Sequence, residues 1–127
     1  EASGKAIQVI EEASRYLVYP YVWGGASPST SFDCSGLVQW SYAKAGISLP
    51  RTAAQQYLAT ERVGAGDLKP GDLVLFSYGK GIAHVGIYVG NGKMVNAQNS
   101  GVKVAPLKGY WEQYIVGFGR AIDHSTS

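Results

Sequence analysis

Three consecutive residues, Gly90-Asn91-Gly92, separate two short runs in the second half of the chain. Residues 84–89 precede them and residues 93–98 follow them, and each run has the length of an ordinary strand. Glycine and asparagine tolerate the positive φ angles that a tight turn between two strands requires. The pattern therefore predicts a β-hairpin, and with it an antiparallel sheet in this half of the protein.

Helical patterns occupy the first half of the chain. Residues 5–18 place apolar side chains at helical spacing, which predicts an amphipathic first helix. Residues 33–45 predict a second helix, with Asp33 as its N-cap and Gly46 as its terminator. Residues 51–59 are typical of a short third helix.

Beyond Gly64 the patterns favour strands. Residues 73–77 form a short apolar run that suits a buried strand, and residues 102–105 and 115–122 can supply further strands. Helices that precede strands, without regular alternation of the two, are typical of an α+β domain. We therefore expect N-terminal helices packed on a mainly antiparallel sheet.

Length and composition narrow the class of protein. The 127 residues, with 46% hydrophobic and 16% charged side chains, predict a single domain over residues 1–127, of which residues 123–127 form a frayed tail. The net charge of +2 is spread without a run, which argues against nucleic-acid binding. No apolar stretch approaches the roughly 20 residues of a membrane span. Because the chain begins with Glu1 and lacks a signal-like start, we interpret it as a processed chain or an excised domain.

Cys34 is the only cysteine, and with two histidines it supplies neither a disulfide framework nor a metal cluster, so no metal or cofactor is expected. If Asp33 caps the second helix, Cys34 is its first residue, where unpaired N–H groups and the helix dipole favour a thiolate. Gly36, one turn further, leaves space where a substrate backbone could approach. The position suits a nucleophile, but a buried, inert cysteine fits equally well until a base is found.

His84 is the candidate base, because the other histidine, His124, lies in the polar tail. Taken alone, His84 is also consistent with a polar residue at the end of a strand. A third polar group should hydrogen-bond the second ring nitrogen of His84 and hold the imidazole in place. Asn96 and Gln98 on the returning strand are the candidates for this orienting group.

The register of the hairpin determines which candidate reaches His84, since side chains alternate between the two faces of a strand. A strict two-residue turn at Asn91-Gly92 places Asn96 on the face away from His84. A three-residue loop, or a bulge elsewhere in the hairpin, shifts the register by one and places Asn96 opposite Gly86, one diagonal step from His84. We therefore predict one of these devices, with a positive φ at Gly92, and keep Gln98 as the second choice.

Five short motifs follow one another along the chain: Tyr21-Val22-Trp23-Gly24-Gly25, Asp33-Cys34-Ser35-Gly36-Leu37-Val38, Pro50-Arg51-Thr52-Ala53-Ala54-Gln55, Lys69-Pro70-Gly71-Asp72-Leu73-Val74-Leu75-Phe76 and His84-Val85-Gly86-Ile87-Tyr88-Val89-Gly90. In order and spacing they resemble the NlpC/p60 family of bacterial cell-wall cysteine peptidases, over nearly the whole chain from about Ala6 to Ala121. The resemblance implies a papain-like fold, in which a cysteine at a helix N-terminus faces a histidine on an antiparallel sheet.

The resemblance also implies an activity, the hydrolysis of peptidoglycan stem peptides, typically at the γ-D-glutamyl bond to the following diamino acid. Carried onto this chain, Cys34 is the nucleophile, His84 the general base and then the general acid, and Asn96 the orienting residue. Most family members have a histidine at the third position, so Asn96 departs from the majority pattern. A neutral amide can still hold the imidazole, as it does in papain-like proteases.

Four further residues match family positions near the substrate. Tyr21 either helps to stabilise the oxyanion together with the Cys34 backbone N–H or is a rim aromatic. Asp33 and Ser35 contact the free amine of the substrate in some relatives, although Asp33 fits a purely capping role equally well. Arg51 either meets a substrate carboxylate or joins a structural ion pair, and we favour the ion pair. The three tryptophans are interpreted as packing residues rather than sugar platforms: Trp23, Trp40 and Trp111.

Two other functions remain open at this stage. One is a catalytically inactive module of the same fold that only binds the cell wall, and the other is an amidase that cleaves the bond from muramic acid to L-alanine. The intact polar set of Cys34, His84 and Asn96 argues against the inactive module. The expected partner is a peptidoglycan stem peptide, with no nucleic acid and no membrane span. We expect a monomer that is secreted or bound to the cell wall and that can be fused to another wall-acting domain.

Overall fold

The computed structural model describes residues 3–122, in which helices come first and strands follow. The helices are α1 (Gly4–Ser14), α2 (Cys34–Lys44) and α3 (Ala53–Leu58). The strands are β1 (Ala26–Ser27), β2 (Ser31–Phe32), β3 (Glu61–Val63), β4 (Leu73–Ser77), β5 (Ile82–Gly90), β6 (Lys93–Gln98), β7 (Gly101–Pro106) and β8 (Ile115–Arg120). The predicted α+β class is confirmed. The predicted frayed tail, with His124, lies outside the described residues.

Each helix begins where a side chain satisfies backbone N–H groups that the helix itself cannot. Ser3 accepts from the N–H of Ala6 at α1, and Asp33 accepts from the N–H of Gly36 at α2. Thr52 and Gln55 form a reciprocal capping box at α3. The predicted N-cap of the second helix is thereby confirmed.

Helix α1 ends at Ser14, four residues before the predicted end at residue 18. The chain reverses at Val18, which adopts a positive φ of 68° and donates its N–H to the Val102 carbonyl at 2.9 Å. A branched side chain rarely adopts such an angle, so a contact with a distant strand overrides the local helical pattern here.

Six strands form one antiparallel sheet in the order β3-β8-β4-β5-β6-β7, while β1 and β2 form a separate short pair. Strand β4 lies inside the sheet, and its residues 73–76 are fully buried on both faces. Leu73 and Leu75 pack in the cluster that contains α1 and α2, whereas Val74 and Phe76 pack in a second cluster on the opposite face. Two covered faces explain why this strand is continuously apolar.

The hairpin of β5 and β6 has the predicted register but reaches it by a bulge. Asn91 and Gly92 form a two-residue turn with φ values of 55° and 73°. Gly90 pairs with Lys93 next to the turn, and Tyr88 pairs with Met94, so the register shifts by one residue between these two pairs. Gly90, at this bulge, has a φ of 97°. The three-residue loop is therefore wrong, while the alternative device, a bulge with Gly92 at positive φ, is confirmed.

The short strands β1, β2 and β3 have no counterpart in the sequence predictions, because two or three residues carry too little periodicity to be recognised. No helix in the described part of the chain combines the length and the apolar character that a membrane crossing requires.

Candidate active site

Cys34 is the first residue of α2, and a glycine two residues later brings the helix against a neighbouring loop. A Cβ added at Gly36 would overlap the carbonyl oxygen of Gly25 and come within 3.0 Å of the Ala26 Cα. The expectation that Gly36 leaves room for a substrate backbone is therefore wrong, since the protein's own loop fills that space. This contact joins the start of α2 to the segment that carries Tyr21.

Asp33 holds the start of α2 through both of its carboxylate oxygens. Oδ1 accepts from the N–H of Gly36 at 2.8 Å and from Arg51 Nη1 at 3.0 Å, and Oδ2 accepts from the N–H of Gly24 at 2.9 Å and from Arg51 Nη2 at 2.9 Å. Arg51 Nη1 also donates to Ser35 Oγ at 2.9 Å. Burial by itself raises the pKa of Asp33, but these hydrogen bonds outweigh it and hold the pKa below its usual value.

The thiol of Cys34 is buried and faces the start of β5. Burial is the largest influence and raises the pKa of Cys34. The backbone N–H of Val85 acts in the opposite direction, as do those of Ser35 and Cys34 itself, whereas the charge of Asp33 raises the pKa further. The direction of this shift runs against the expected preference for a thiolate at the helix N-terminus, because loss of hydration outweighs the local N–H groups.

The imidazole of His84 is buried and forms a hydrogen bond of 2.8 Å between Nε2 and Asn96 Oδ1. The amide of Asn96 can be oriented because its Nδ2 donates to the backbone carbonyl of Lys103 at 3.2 Å, a group that only accepts. Oδ1 must then accept from Nε2, so Nε2 carries the proton of the neutral ring. The second nitrogen, Nδ1, keeps its lone pair and can accept a proton.

Asn96 rather than Gln98 is the group that contacts His84. Gln98 Oε1 accepts from Asn96 Nδ2 at 3.2 Å and so buttresses the orienting amide from behind. A side chain at Gly86 would disturb this arrangement, because a Cβ there would overlap Met94 Sδ and lie 3.2 Å from the Asn96 Cβ. Burial lowers the pKa of His84, and the hydrogen bond to Asn96 raises it by a smaller amount.

Two aromatic rings contact the imidazole of His84. The Trp111 ring lies parallel to it, with centroids 4.7 Å apart and planes inclined by 14°. The Phe76 ring lies 5.4 Å away at 50°. The sequence predicted only a packing role for Trp111. Its local sequence gives no sign that it contacts His84, which lies on the distant strand β5.

Cys34 and His84 line one cavity of about 370 Å³. Its other lining residues are Tyr21, Tyr78, Ala83, Ala97, Gln98, Asn99, Ser100, Tyr110 and Trp111. None of these described residues is Asp, Glu, Lys or Arg, so the cavity has no fixed charge. No cluster of three or more possible ligands for a metal ion occurs among residues 3–122.

The other predicted site residues divide into two groups. Tyr21 lines the cavity, and burial raises its pKa, with the negative charge of Asp33 acting in the same direction. Asp33, Ser35 and Arg51 form a hydrogen-bonded group beside Cys34 at the start of α2.

The expected packing role of the tryptophans is wrong for Trp23, which is 85% exposed. It is confirmed for Trp40, whose Nε1 donates to Glu12 Oε2 at 3.0 Å and to the Tyr16 hydroxyl at 3.1 Å. Trp111 is 8% exposed and packs, but its partner is the imidazole of His84.

The order of these elements and the geometry of the site agree with a known family. The sequence profile of the NlpC/P60 family matches residues 18–120, which include Cys34, His84 and Asn96. The chain belongs to the NlpC/P60 family. This membership confirms the resemblance drawn from the five sequence motifs, and the residues that match the NlpC/P60 profile cover most of the described chain.

Individual NlpC/P60 relatives are close in sequence and structure. The chain is 55% identical over 116 residues to the bifunctional muramidase/DL-endopeptidase CwlT of Bacillus subtilis, a match that covers 88% of this chain and 35% of CwlT. It is 57% identical over 113 residues to the probable endopeptidase p60 of Listeria monocytogenes, a match that covers 88% of this chain and 23% of p60.

A solved NLP/P60-family structure from Staphylococcus aureus, described as similar to lipoprotein, superposes with a TM-score of 0.89 at 40% identity. That match covers 97% of this chain and 43% of the other. The chain therefore spans less than half the length of each of these NlpC/P60 proteins.

Proposed function

We propose that this chain is a cysteine endopeptidase that cleaves peptidoglycan stem peptides at the γ-D-glutamyl bond to the diamino acid. The observation that carries the proposal is one cavity lined by both Cys34 and His84, in which the imidazole is held at Nε2 by Asn96 and has Nδ1 left to accept a proton. The similar protein CwlT is named a bifunctional muramidase/DL-endopeptidase, which supports the choice of bond. We further propose that the protein acts as a monomeric catalytic domain at the bacterial cell wall, alone or fused to another wall-acting domain.

The proposed reaction begins with a neutral thiol and a neutral imidazole. His84 Nδ1 takes the proton from Cys34 as Sγ attacks the scissile carbonyl carbon, so that a tetrahedral oxyanion and an imidazolium form together. The imidazolium then gives its proton to the leaving amine, and the carbon–nitrogen bond breaks to leave a thioester on Cys34. Water, deprotonated by His84, hydrolyses the thioester and restores both groups.

The oxyanion requires donors close to the nucleophile. The backbone N–H of Cys34 and the hydroxyl of Tyr21 are the donors we propose, since Tyr21 lines the cavity and its hydroxyl forms no hydrogen bond within the described part of the chain. Removing one such donor typically costs about a hundredfold or more in kcat.

Asp33 and Arg51 are assigned a structural role, because each oxygen of Asp33 already accepts from backbone and from Arg51. Ser35 lies in the same group, and its hydroxyl contacts both partners. A substrate amine at Asp33 would have to compete with these bonds. We therefore propose that the three residues hold the start of α2 and thereby the nucleophile.

The deciding experiment is digestion of purified peptidoglycan, with mass spectrometry of the fragments. New fragments that begin with the diamino acid support the endopeptidase. Fragments that begin with intact L-alanine freed from muramic acid would instead indicate the amidase, and a complete lack of cleavage would favour the inactive wall-binding module.

The matched variant for that experiment is Cys34→Ala. Loss of an essential nucleophile should lower turnover by at least about a thousandfold. Thermal stability should stay close to that of the wild type, because alanine is nearly as compact as the buried thiol. Residual cleavage well above one part in about a thousand would contradict a covalent role for Cys34.

A further inference from the structure

The imidazole of His84 is held by one hydrogen bond and one stacked ring. The hydrogen bond from Nε2 to Asn96 Oδ1 is 2.8 Å long. Because Nε2 lies close to the axis of the Cβ–Cγ bond, this single hydrogen bond leaves the ring able to pivot about Cβ–Cγ. The parallel ring of Trp111, 4.7 Å from the imidazole and inclined by 14°, restricts that pivot.

Trp111 is placed for this contact by the turn that connects β7 to β8. Its carbonyl accepts the N–H of Tyr114 at 3.0 Å, and its ring is 8% exposed, whereas the adjacent Tyr110 is 60% exposed. Phe76 lies 5.0 Å from the Trp111 ring and 5.4 Å from the imidazole. The indole is thus packed against both the sheet and the imidazole.

The imidazolium that the proposed reaction requires has no anionic partner here. Asn96, its hydrogen-bond acceptor, is neutral. The titratable groups that share the cavity with His84 are the thiol of Cys34 and the hydroxyls of Tyr21, Tyr78 and Tyr110, and none of the described lining residues is a carboxylate. The electron-rich face of an indole attracts a cation, so Trp111 is the neighbour suited to stabilise the charged ring.

We propose that Trp111 is a positioning residue of the reaction: its indole face holds the plane of His84 for the proton transfer from Cys34 and stabilises the transient imidazolium. The kinetic part of this inference rests on the proposed endopeptidase function. The effect on the imidazole itself does not, and it can be measured without a substrate.

The kinetic test compares Trp111→Phe with Trp111→Leu on a stem peptide that the wild type cleaves. Phenylalanine keeps an aromatic face, so we expect kcat to stay within about threefold of the wild type. Leucine is apolar but has no such face, so kcat should fall by about tenfold or more, with KM unchanged within about twofold. A rise in KM with an unchanged kcat would overturn the proposal, because it would make Trp111 a wall for the substrate.

A substrate-free test follows the titration of His84 by NMR in the Cys34→Ala background. The chain has two histidines, so substitution of His124 identifies the His84 signal. If the aromatic face stabilises the imidazolium, the pKa of His84 is lower in Trp111→Leu than in Trp111→Phe. Equal pKa values in the two variants would overturn the electrostatic part of the proposal. Cleavage by neither wild type nor variants would refute the endopeptidase function while leaving this result interpretable.

Trp40→Leu is the matched control, since Trp40 packs between α2 and α1 and does not line the cavity. It should lower the thermal stability but leave kcat and the His84 titration unchanged. If Trp111→Leu fails to fold, Trp111→Met repeats the comparison with a flexible, non-aromatic side chain. Equal losses of kcat and stability in the Phe, Leu and Met variants would show that Trp111 only packs, and the proposal would be wrong.

Discussion

Two buried titratable side chains, the thiol of Cys34 and the imidazole of His84, line the same cavity. Burial raises the pKa of Cys34 and lowers the pKa of His84, so both effects favour the uncharged forms. Both shifts favour a thiol and a neutral imidazole over a standing thiolate and imidazolium. In the proposed reaction, proton transfer depends on the orientation of His84, so we expect substitutions of Asn96 and Trp111 to affect the rate.

Asn96→Ala tests the orienting hydrogen bond. Without Oδ1, the ring of His84 loses the acceptor for its Nε2 proton, and we expect kcat to fall by about a hundredfold, as is typical of a misaligned reacting group. Steady-state kinetics on a stem peptide measure the change, while the melting temperature reports whether the fold is kept. Gln98→Ala should cost much less, because Gln98 contacts Asn96 rather than the imidazole. A larger loss in Gln98→Ala would transfer the orienting role to Gln98.

At the scale of elements, the start of α2 is positioned by contacts with the loop before β1. Asp33 bonds Gly24, Gly36 lies against Gly25, and Arg51 Nη2 donates to the Gly25 carbonyl at 3.3 Å. These contacts join the segments that carry Cys34 and Tyr21. The geometry of the site is therefore a property of how α2 packs on this loop.

Gly36→Ala should reverse the usual effect of replacing a helical glycine. Alanine ordinarily stabilises a helix interior by about 0.5–1 kcal/mol. At Gly36 the added Cβ would overlap the carbonyl of Gly25, so we expect a net loss of about 1–3 kcal/mol in the free energy of unfolding. Chemical denaturation measures it, with Gly66→Ala as control because the space around Gly66 is open. Equal stability of the two variants would contradict the packing that we describe.

The hairpin of β5 and β6 aligns His84 with Asn96 by combining a two-residue turn with a bulge at Gly90. Gly92→Val places a branched side chain at a φ of 73° and should lower the free energy of unfolding by about 1–3 kcal/mol. It should also lower kcat, since a disturbed turn misaligns Asn96. Gly92→Asn is the control, because asparagine tolerates this conformation and should be nearly silent in both measurements. Full activity of Gly92→Val would show that the turn does not determine the alignment of Asn96 with His84.

At the scale of the whole molecule, the stability of the fold depends on pH through titratable side chains of the site. The pKa of His84 is lowered from 6.5, so the unfolded chain binds a proton more readily than the folded one. The contribution of His84 to the free energy of unfolding is therefore fully present above pH 6.5. It is lost as the pH falls below 6.5 through the folded-state pKa. The lowered pKa of Asp33 acts in the same direction, since its contribution to stability is lost as the pH falls below 3.8.

Melting temperatures recorded from about pH 8 downwards test this linkage. The wild type should lose stability below about pH 6.5, and His84→Gln should show a flatter profile over the first part of that decline. Glutamine can keep a hydrogen bond to Asn96 but does not take up a proton. Parallel profiles for the two proteins would show that His84 does not contribute to the acid sensitivity of the fold.

The sequence by itself determined the features that depend on near neighbours. A cap and its N–H groups lie within one helical turn, which is why Asp33 marks the start of α2. Strand alternation and the demand for positive φ at Gly92 are equally local, so parity required a register shift if Asn96 was to lie on the side of His84. The five motifs then indicated the family.

Only the tertiary structure decided how those residues behave. The direction of the Cys34 pKa depends on how much water the sheet excludes, which no neighbouring residue reveals. The overlap at Gly36 arises from a loop that precedes the helix, and the stack of Trp111 on His84 joins a turn after β7 to the start of β5. Desolvation, close packing and ring stacking all involve segments distant along the chain, so their outcome is fixed by the folded arrangement and not by local pattern.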